Sequence, residues 1–426
     1  MSKPRLQAPR GTRDFYPDDL RRREWLFGHF RTVAQSFAFE EIDAPVVEHA
    51  ELFIRKAGEE IVDQLYHFTL HDRHLSLRGE MTPSTARMVM ARANGLAFPL
   101  RWFSLCQMWR YERMTRGRRR EHFQWEMDIW GEPEVTAEAE LIAAIFTLLA
   151  RVGLEAGEVK VRINSRALLE ETLTSGVLSD KPEAFAPLCI VIDKLGKIGA
   201  DAVVEQLSDP KGLIGLEAGA AREVVAMLDV HDLDEAAKFA PANSKALSDL
   251  RRLMELMDAY GYGEQVVFDA SIVRGLAYYT GIVFEAFDAE RSLRSLCGGG
   301  RFDSLVESLG GSPITAVGFG FGDVVIGELL ADRGLWPELS RPVDDVVYAR
   351  EEAQRPLAIR TAARLRAEGR RVELVLGSVS QKRAFKDADR AGAARIWVIG
   401  PDEVARGMAR VRDLKTGEQS DEALDL

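Results

Sequence analysis

The sequence predicts a protein of two parts, an α+β part built on an antiparallel sheet with helices and a carboxy-terminal α/β part. Two strand patterns joined by a polar turn lie between residues 102 and 130, which indicates an antiparallel hairpin. Helix-like stretches fill residues 164–257, and strand and helix patterns alternate after residue 341. This alternation favours a mostly parallel sheet covered by helices.

The chain opens with an extended arm and a helix. The arm, PRGTRDFYPDD, ends in a proline turn, and a helix is expected from about Leu20 to Phe37. Its apolar residues recur at helical spacing and indicate a face packed in the core: Leu26, Phe30, Val33 and Phe37. After a short strand interrupted by Pro45, Thr82 or Ser84 is expected to cap a second helix that runs through Met90.

The predicted hairpin has one apolar face and one acidic face. Its arms are expected at residues 102–113 and 122–130, with the turn at residues 114–120. Strand alternation divides the second arm between an apolar set, Phe123, Trp125, Met127 and Ile129, and a polar set, Gln124, Glu126 and Asp128. By the same period, Arg110 and Glu112 share a face of the first arm. Such a polar face suits a small zwitterionic, phosphorylated ligand, although a solvated strand pair fits the pattern equally well.

The turn of the hairpin is rich in arginine: Arg116, Arg118, Arg119 and Arg120. Their mutual repulsion destabilises the turn unless anionic groups neutralise it. Phosphates, with which arginine forms bidentate hydrogen bonds, are the expected ligands.

A later segment, SIVRGLAYYTGIVFEAF at residues 271–287, combines glycine with polar groups. Arg274 follows an apolar strand pattern, and Gly275 allows close approach of the backbone. Tyr278 and Tyr279 present hydroxyl groups beside them. The glycine run of CGGGRFDSLVESLGG lets the chain pass close to a ligand or a neighbouring strand.

Composition excludes several classes of protein. The chain is 46% hydrophobic and 29% charged, and no apolar run approaches the roughly 20 residues of a membrane span. The amino terminus lacks the apolar region of a secretory signal. Cys106, Cys189 and Cys297 lack metal-site spacing, which fits reduced thiols in the cytoplasm and no metal site in the protein. The net charge is −11, but a large enzyme can bind RNA through local basic surface.

Long strings in these segments resemble the histidyl-tRNA synthetases, a family of class II aminoacyl-tRNA synthetases. RYER, REHFQWEMD and IWG resemble the second signature motif of that class, and FAFEEIDAPVVEHAELF resembles the first, which forms the dimer interface in the family. The strings at residues 271–287 and from Cys297 resemble the two peptides specific to the family. The resemblance implies these domains: a class II catalytic core at residues 1–163 and 258–335, a helical insertion at 164–257, and an anticodon-binding-like domain at 341–426.

The resemblance also implies a reaction and its partners. ATP would activate L-histidine as histidyl-adenylate, with Mg²⁺ bridging the ATP phosphates, and the histidyl group would then pass to the terminal ribose of tRNA(His). Positioning and charge stabilisation would carry both steps. A cytoplasmic homodimer without a membrane segment is expected.

The resemblance assigns roles to particular residues. Arg110 and Arg274 are the expected catalytic residues, on the α-phosphate and carboxylate oxygens. The expected histidine-binding residues are Glu80, Met81, Thr82, Arg110, Gln124, Asp128, Arg274, Tyr278 and Tyr279. Within this set Asp128 and Tyr279 would bind the imidazole and Glu80, Thr82 and Gln124 the α-ammonium, although a carboxylate at Glu80 also complements the dipole of the following helix.

Two further sets of residues complete the expected site. The expected ATP-binding residues are Arg110, Glu112, Arg118, Arg120 and Glu121. The expected tRNA-binding residues are Arg116 and Arg119 in the turn, and Lys382, Arg383 and Lys386 in the carboxy-terminal domain. For the last three residues a solvated helix face is an equally good interpretation.

Three positions depart from the family pattern. Gly79 replaces a proline, and Ala277 replaces the aspartate of RGLDYY. Val325, within ITAVGFGFGDVVIGELL, replaces the arginine with which the third class II motif clamps ATP. Either other arginines hold the phosphates, and Arg118 and Arg120 are the nearest by sequence, or adenylation is impaired. Val325 and Ala277 favour, as the alternative, a non-catalytic histidine-sensing paralogue that resembles the regulatory subunit of ATP phosphoribosyltransferase. The anticodon-binding-like domain and the intact Arg110 and Arg274 count against it.

Overall fold

A computed structural model describes residues 6–57, 59–272 and 279–424, and the chain divides into two compact units, Met1–Trp336 and Pro337–Leu426. The first unit is α+β and the second is α/β, as the sequence predicts. None of the described helices is long and apolar enough to cross a membrane.

A large, mostly antiparallel sheet forms the centre of the first unit. The strands of this unit are β1 (Glu40–Glu41), β2 (Val47–His49), β3 (His67–Leu70), β4 (Arg73–Leu77), β5 (Leu100–Trp109), β6 (Glu121–Trp130), β7 (Val159–Ser165), β8 (Val266–Phe268), β9 (Ile282–Asp288), β10 (Cys297–Arg301) and β11 (Ala316–Gly322). The eight-stranded sheet has the order β1-β5-β6-β11-β10-β9-β7-β8, with parallel pairs at its two edges. A small sheet has the order β2-β4-β3.

Helices cover one face of the large sheet. The helices of the first unit are α1 (Pro17–Ser36), α2 (Ala50–Ala57), α3 (Thr82–Arg92), α4 (Thr136–Arg151), α5 (Arg166–Ser175), α6 (Phe185–Ile192), α7 (Leu195–Ile198), α8 (Ala200–Ser208), α9 (Ala218–Met227), α10 (Leu233–Ala236), α11 (Lys245–Ala259), α12 (Leu305–Ser308) and α13 (Asp323–Asp332). Apolar residues of α1, α4 and α11 pack with Trp125, Phe319 and Phe321 in one core. The predicted helix at Leu20–Phe37 is α1.

The start of α3 differs from the prediction. Met81 occupies the N-cap position, and no side chain caps the helix. Thr82 is the first helical residue and Ser84 is buried within the first turn, so the predicted cap at either residue is wrong. Pro83 is compatible with this position, because N–H groups in the first turn of a helix have no acceptor within the helix and the N–H group that proline lacks is not needed there.

Helices between residues 166 and 227 enclose a core of their own. It contains apolar residues from α5, α6, α8 and α9, among them Leu173, Leu188, Val203 and Val224. In contrast, α11 contributes Leu250 and Leu253 to the main core. The assignment of residues 164–257 to an insertion stays a prediction.

The central hairpin is confirmed, but it is shorter than predicted. Strands β5 and β6 pair antiparallel from Leu100 with Trp130 to Trp109 with Glu121. Arg110 and Glu112 lie beyond β5, so the strand period does not place them on one face and that part of the prediction is wrong. The acidic face of β6 is buried, with exposed fractions of 4% for Glu126 and Asp128, which rules out the solvated strand pair.

The second unit is built on a mixed sheet. Its strands are β12 (Asp345–Ala349), β13 (Val372–Leu374), β14 (Arg395–Ile399), β15 (Met408–Asp413) and β16 (Gln419–Ala423), and its helices are α14 (Arg355–Ala367), α15 (Gln381–Arg390) and α16 (Pro401–Ala405). In the order β13-β12-β14-β15-β16, the first three strands are parallel. The last two strands add antiparallel pairs, β15 with β14 and β16 with β15. The turn at VRDLKTGEQ joins β15 and β16 directly as a hairpin.

Candidate active site

A stretch of the large sheet without side chains lies beside the acidic face of β6. On that face β10 and β11 present only glycines: Gly298, Gly300, Gly318 and Gly320. The alternating residues of β11, Phe319 and Phe321, point into the core. A Cβ atom at Gly318 would lie 1.9 Å from Asp128 Oδ1, and one at Gly320 would lie 1.9 Å from Gln124 Nε2. The glycines therefore leave the space in which these two polar side chains lie.

Buried polar atoms on this face are available to a ligand. Glu126 Oε1 accepts a hydrogen bond from the backbone N–H of Met81 at 3.3 Å. Within the described part of the chain, Glu126 Oε2 and Gln124 Oε1 are buried and have no hydrogen-bond partner. Buried acceptors are normally paired, so these two oxygens mark positions where a donor group of a ligand can bind.

The carboxylates on this face raise one another's pKa values. Burial and the charge of Glu80 raise the pKa of Glu126 to about 7, and burial and Glu126 raise the pKa of Asp128 well above its ordinary value. Burial and the surrounding carboxylates also raise the pKa of Tyr279, so its hydroxyl stays protonated and can donate. A cationic ligand group would relieve this repulsion.

Glu80 is held by a lysine that the sequence did not point to. Lys56, near the end of α2, donates from Nζ to Glu80 Oε2 at 2.5 Å. Burial opposes ionisation of Glu80, but the charges of Lys56 and Arg110 outweigh it and lower the pKa of the carboxyl group. Glu80 therefore stays ionised beside two carboxyl groups whose pKa values are raised.

A cationic cavity of about 260 Å³ adjoins this face. Its lining includes Arg110, Glu112, Gly117, Arg118, Arg119, His122, Gln124, Glu285, Arg294 and Val325. Arg110 donates from Nε to the carbonyl oxygen of Gly79 at 2.8 Å. Burial and the positive charge of Arg110 lower the pKa of His122 to about 3, so this imidazole is neutral. Arg110 therefore lines the cavity while its Nε is hydrogen-bonded to Gly79, next to Glu80 and two residues before Met81, which contacts Glu126. Its guanidinium thus lies where the cavity meets the acidic face.

Some residues of the predicted nucleotide and tRNA sets line the cavity. Glu112 pairs with Arg118 at 2.9 Å, and both line it together with Arg119. Val325, in the first turn of α13, forms part of the wall. The cavity therefore brings together arginines of the turn and the position that lacks the expected arginine.

Other residues of those sets are engaged elsewhere. The guanidinium of Arg120 lies 3.7 Å from the ring centre of Tyr111. Arg116 pairs with Asp332 at 2.7 Å. Glu121 accepts hydrogen bonds from Arg13 at 2.7 Å and from Gln107 at 2.9 Å. None of these three predicted residues is among those that line the cavity, and their nucleotide or tRNA contacts stay predictions.

The remaining predicted residues lie in three places. Met81 is fully buried and contributes its backbone N–H to Glu126, while Thr82 begins α3. Arg274 and Tyr278 lie outside the described residues. In the second unit, the exposed residues Lys382, Arg383 and Lys386 share α15, and Arg383 pairs with Asp387 at 2.6 Å.

Four residues of the site were not predicted: Lys56, His122, Glu126 and Arg294. Glu126 carried a signal, because it alternates with Gln124 and Asp128 on the acidic face. Lys56 and Arg294 carried none, because each lies in an ordinary polar stretch and reaches the site only through the fold.

The raised pKa of Glu126 predicts a pH dependence of stability. A carboxyl group whose pKa rises on folding stabilises the folded state below its ordinary pKa, and this contribution is lost as the pH rises towards 7. We expect the free energy of unfolding of the ligand-free protein to decrease as the pH rises from the ordinary glutamate pKa towards 7. In Glu126→Gln this decrease should be smaller. Urea unfolding from pH about 5 to about 8 measures it. A decline in the variant as steep as in the wild type would contradict the prediction.

Comparison with known proteins identifies the family. A family model described as histidyl-tRNA synthetase matches residues 11–322, and an anticodon binding domain model matches residues 343–425. A relative in Arabidopsis thaliana, named chloroplastic/mitochondrial histidine–tRNA ligase, is 47% identical over 97% of this chain and 84% of its own length. The histidine–tRNA ligase of Opitutus terrae is 39% identical over 98% of this chain and 95% of its own length.

Solved structures agree in fold. The histidyl-tRNA synthetase of Nostoc is 24% identical, with a TM-score of 0.77 over 99% of this chain and 97% of its own. The apo enzyme of S. aureus is 22% identical, with a TM-score of 0.76 over 98% of this chain and 97% of its own. Because the first family model covers well over half of the sequence and these relatives align along nearly all of it, the chain belongs to the histidyl-tRNA synthetase family.

Proposed function

We propose that this chain is a histidine–tRNA ligase that activates L-histidine with ATP and transfers it to the 3′ end of tRNA(His). One observation supports this above the others: a buried face of carboxylates adjoins a cationic cavity, and Arg110 lies between them. A cationic amino acid fits the first region and a polyphosphate the second. The substrate's carboxylate and the α-phosphate would then meet at Arg110.

Histidine satisfies the polar atoms of the acidic face. Its α-ammonium donates to the carboxylates of Glu80 and Glu126 and to the unpaired carbonyl oxygen of Gln124. Its imidazole needs one acceptor and one donor, which Asp128 and the protonated Tyr279 supply. Binding of the cation lowers the pKa values of the carboxyl groups, so it is accompanied by proton release.

The chemistry needs positioning and charge stabilisation more than covalent catalysis. A carboxylate oxygen of histidine attacks the α-phosphorus of ATP, and the bond from that phosphorus to the bridging oxygen of pyrophosphate breaks. In the second step a ribose hydroxyl of the tRNA attacks the acyl carbon and AMP leaves. Arg110 stabilises the negative charge that develops on the α-phosphate oxygens in the first step. The proposal places Arg274 beside Arg110, on the carboxylate and α-phosphate oxygens.

Magnesium enters with ATP, where it neutralises phosphate charge. Glu112 fits a role beside it, because its carboxylate lines the cavity. Glu121 does not fit, because both of its oxygens accept hydrogen bonds from Arg13 and Gln107 and only 1% of the residue is exposed.

We also propose a homodimer in the cytoplasm. The segment that resembles the dimer-forming motif exposes Val46 and Val47, and β3, in the small sheet that includes Val47, exposes Phe68 and Leu70, each at least 41% accessible in the isolated chain. Apolar surface of this kind favours association. Sedimentation equilibrium of the wild type tests the proposal, and a monomer at micromolar concentration would contradict it.

A histidine-dependent ATP–pyrophosphate exchange assay, followed by charging of tRNA(His), tests the proposed function. We expect exchange with histidine and none with other amino acids. Histidine combines an α-ammonium group with a ring that has one hydrogen-bond donor and one acceptor, and no other standard amino acid does so. Histidine binding without exchange or charging would instead support the sensing paralogue.

The basic patch of the second unit predicts an effect confined to tRNA. Lys382 and Lys386 are exposed on α15, and reversing both charges in Lys382→Glu/Lys386→Glu should raise the KM for tRNA(His) while exchange is unchanged. A plot of the logarithm of the tRNA-binding constant against the logarithm of the salt concentration should also become less steep, by about one for each phosphate contact that is lost. Lys415→Glu, in the turn before β16, is the control, and this variant should aminoacylate tRNA(His) with the wild-type KM. An unchanged KM for tRNA(His) in the double variant would mean that the basic residues of α15 form an ordinary solvated helix face and do not contact tRNA.

A further inference from the structure

The cavity wall at α13 lacks a positive charge of its own. The first turn of this helix contains Asp323, Val324 and Val325, and Val325 is 7% exposed. Asp323 accepts a hydrogen bond from the backbone N–H of Phe123 and pairs with Arg13 at 3.0 Å. The phosphates of a bound ATP would therefore meet an apolar side chain on this side of the cavity.

Arg294 approaches Val325 from another part of the chain. A Cβ atom at Gly117 would lie 3.3 Å from Val325 Cγ2 and 3.7 Å from Arg294 Cδ, so the two side chains flank the same point of the arginine-rich turn. Both also line the cationic cavity. Arg294 is thus a positively charged residue of the cavity lining close to Val325, where α13 supplies no positive charge.

The backbone that carries Arg294 is firmly held. Asp288 accepts hydrogen bonds from the backbone N–H groups of Ser292 and Leu293 at 2.9 and 3.1 Å. Leu296 donates to the carbonyl oxygen of Ala286 at 2.8 Å and is 1% exposed. A side chain between two such anchored leucines is pre-positioned, which reduces the entropy lost on binding a ligand.

Arg118 lines the same cavity and pairs with Glu112 at 2.9 Å, whereas Arg120 stacks on Tyr111 and is not among the residues that line it. We propose that Arg294 takes over the role of the absent arginine at position 325 and binds the β- and γ-phosphates of ATP, and hence the departing pyrophosphate. This inference rests on the proposed ligase function. It differs from the sequence-based choice of Arg118 and Arg120 as the compensating pair, which stays a prediction.

The test uses Arg294→Met in the full-length protein, because methionine keeps the aliphatic stem beside Gly117 and removes only the guanidinium. We expect the KM values for ATP and for pyrophosphate in the exchange reaction to rise roughly tenfold, because a charge-assisted contact to the tail phosphates is lost. The KM for histidine and the inhibition constant of AMP, which has no tail phosphates, should stay within about twofold. The KM values of Arg294→Lys for ATP and pyrophosphate should lie between those of the wild type and Arg294→Met, because lysine keeps the charge without the bidentate fork.

A compensating variant sharpens the test. Val325→Arg in the Arg294→Met background returns a guanidinium to the same end of the cavity and is expected to lower the KM for ATP again. The inference is wrong if Arg294→Met keeps wild-type KM values for ATP and pyrophosphate. It is also wrong if the variant weakens the binding of AMP as much as the binding of ATP. Absence of exchange in the wild type would instead overturn the proposed function, so the two failures are distinguishable.

Discussion

Arg110→Ala should lower the rate constant for histidyl-adenylate formation by roughly 10²–10³-fold, the range found when one preorganised donor to a developing oxyanion is removed. Arg110 lies between the acidic face and the cationic cavity, with its Nε fixed on the carbonyl oxygen of Gly79 at 2.8 Å. Its remaining donors are therefore oriented before ATP binds. Single-turnover formation of adenylate, followed by rapid quench, measures the step directly.

Two controls separate this role from a general effect of charge. Arg116→Ala removes an arginine of the same segment that pairs with Asp332 and does not line the cavity, so adenylate formation should be unchanged. Arg110→Lys keeps the charge but loses the planar fork and should recover only part of the rate. Histidine affinity should fall less than this rate constant in Arg110→Ala, because the α-phosphate oxygens gain charge only as the adenylate forms. A rate within about threefold of wild type in that variant would remove Arg110 from the proposed mechanism.

Strand periodicity predicted the acidic face but not its burial. The alternation of Gln124, Glu126 and Asp128 is a local property of β6, and the structure confirms it. Burial depends on what packs over the face, which a period of two cannot report. The end of β5 is a separate error: the N–H of Arg110 still donates to the carbonyl oxygen of Arg120 at 2.9 Å, but the N–H of Glu112 donates back to the carbonyl oxygen of Arg110. The backbone therefore turns before Glu112 although the residue types do not change.

Contacts between distant segments were beyond the sequence. Lys56 and Glu80 are 24 residues apart, and Arg294 lies near Val325 only because β10 and β11 bring their flanking segments together. Neither Lys56 nor Arg294 stands out from the composition of its own segment. Glycines gave a partial signal: the run at residues 298–300 indicated close approach to a ligand or a neighbouring strand, but not which side chains occupy the space that the glycines leave.

Gly318→Ala should weaken histidine binding about a hundredfold, because the new methyl group would lie 1.9 Å from Asp128 Oδ1 and 2.9 Å from the carbonyl oxygen of Met127. The Met127 carbonyl belongs to the backbone of β6 and cannot retreat, so the carboxylate of Asp128 must leave its position. Calorimetric titration with histidine measures the loss. Affinity for AMP, which we place on the other side of Arg110, should be retained.

Gly28→Ala is the matched control, because it makes the same change at an exposed position of α1 with no neighbour within 4 Å. It should leave histidine affinity unchanged and raise the free energy of unfolding by roughly 0.5–1 kcal/mol, since glycine inside a helix is less stable than alanine. A double-mutant cycle then identifies the cause of the loss at Gly318. In an Asp128→Ala background there is no carboxylate to displace, so Gly318→Ala should add little further loss. If the two losses add fully, the alanine acts through the backbone of β6 rather than through Asp128, and the assignment of Asp128 to the imidazole loses this support.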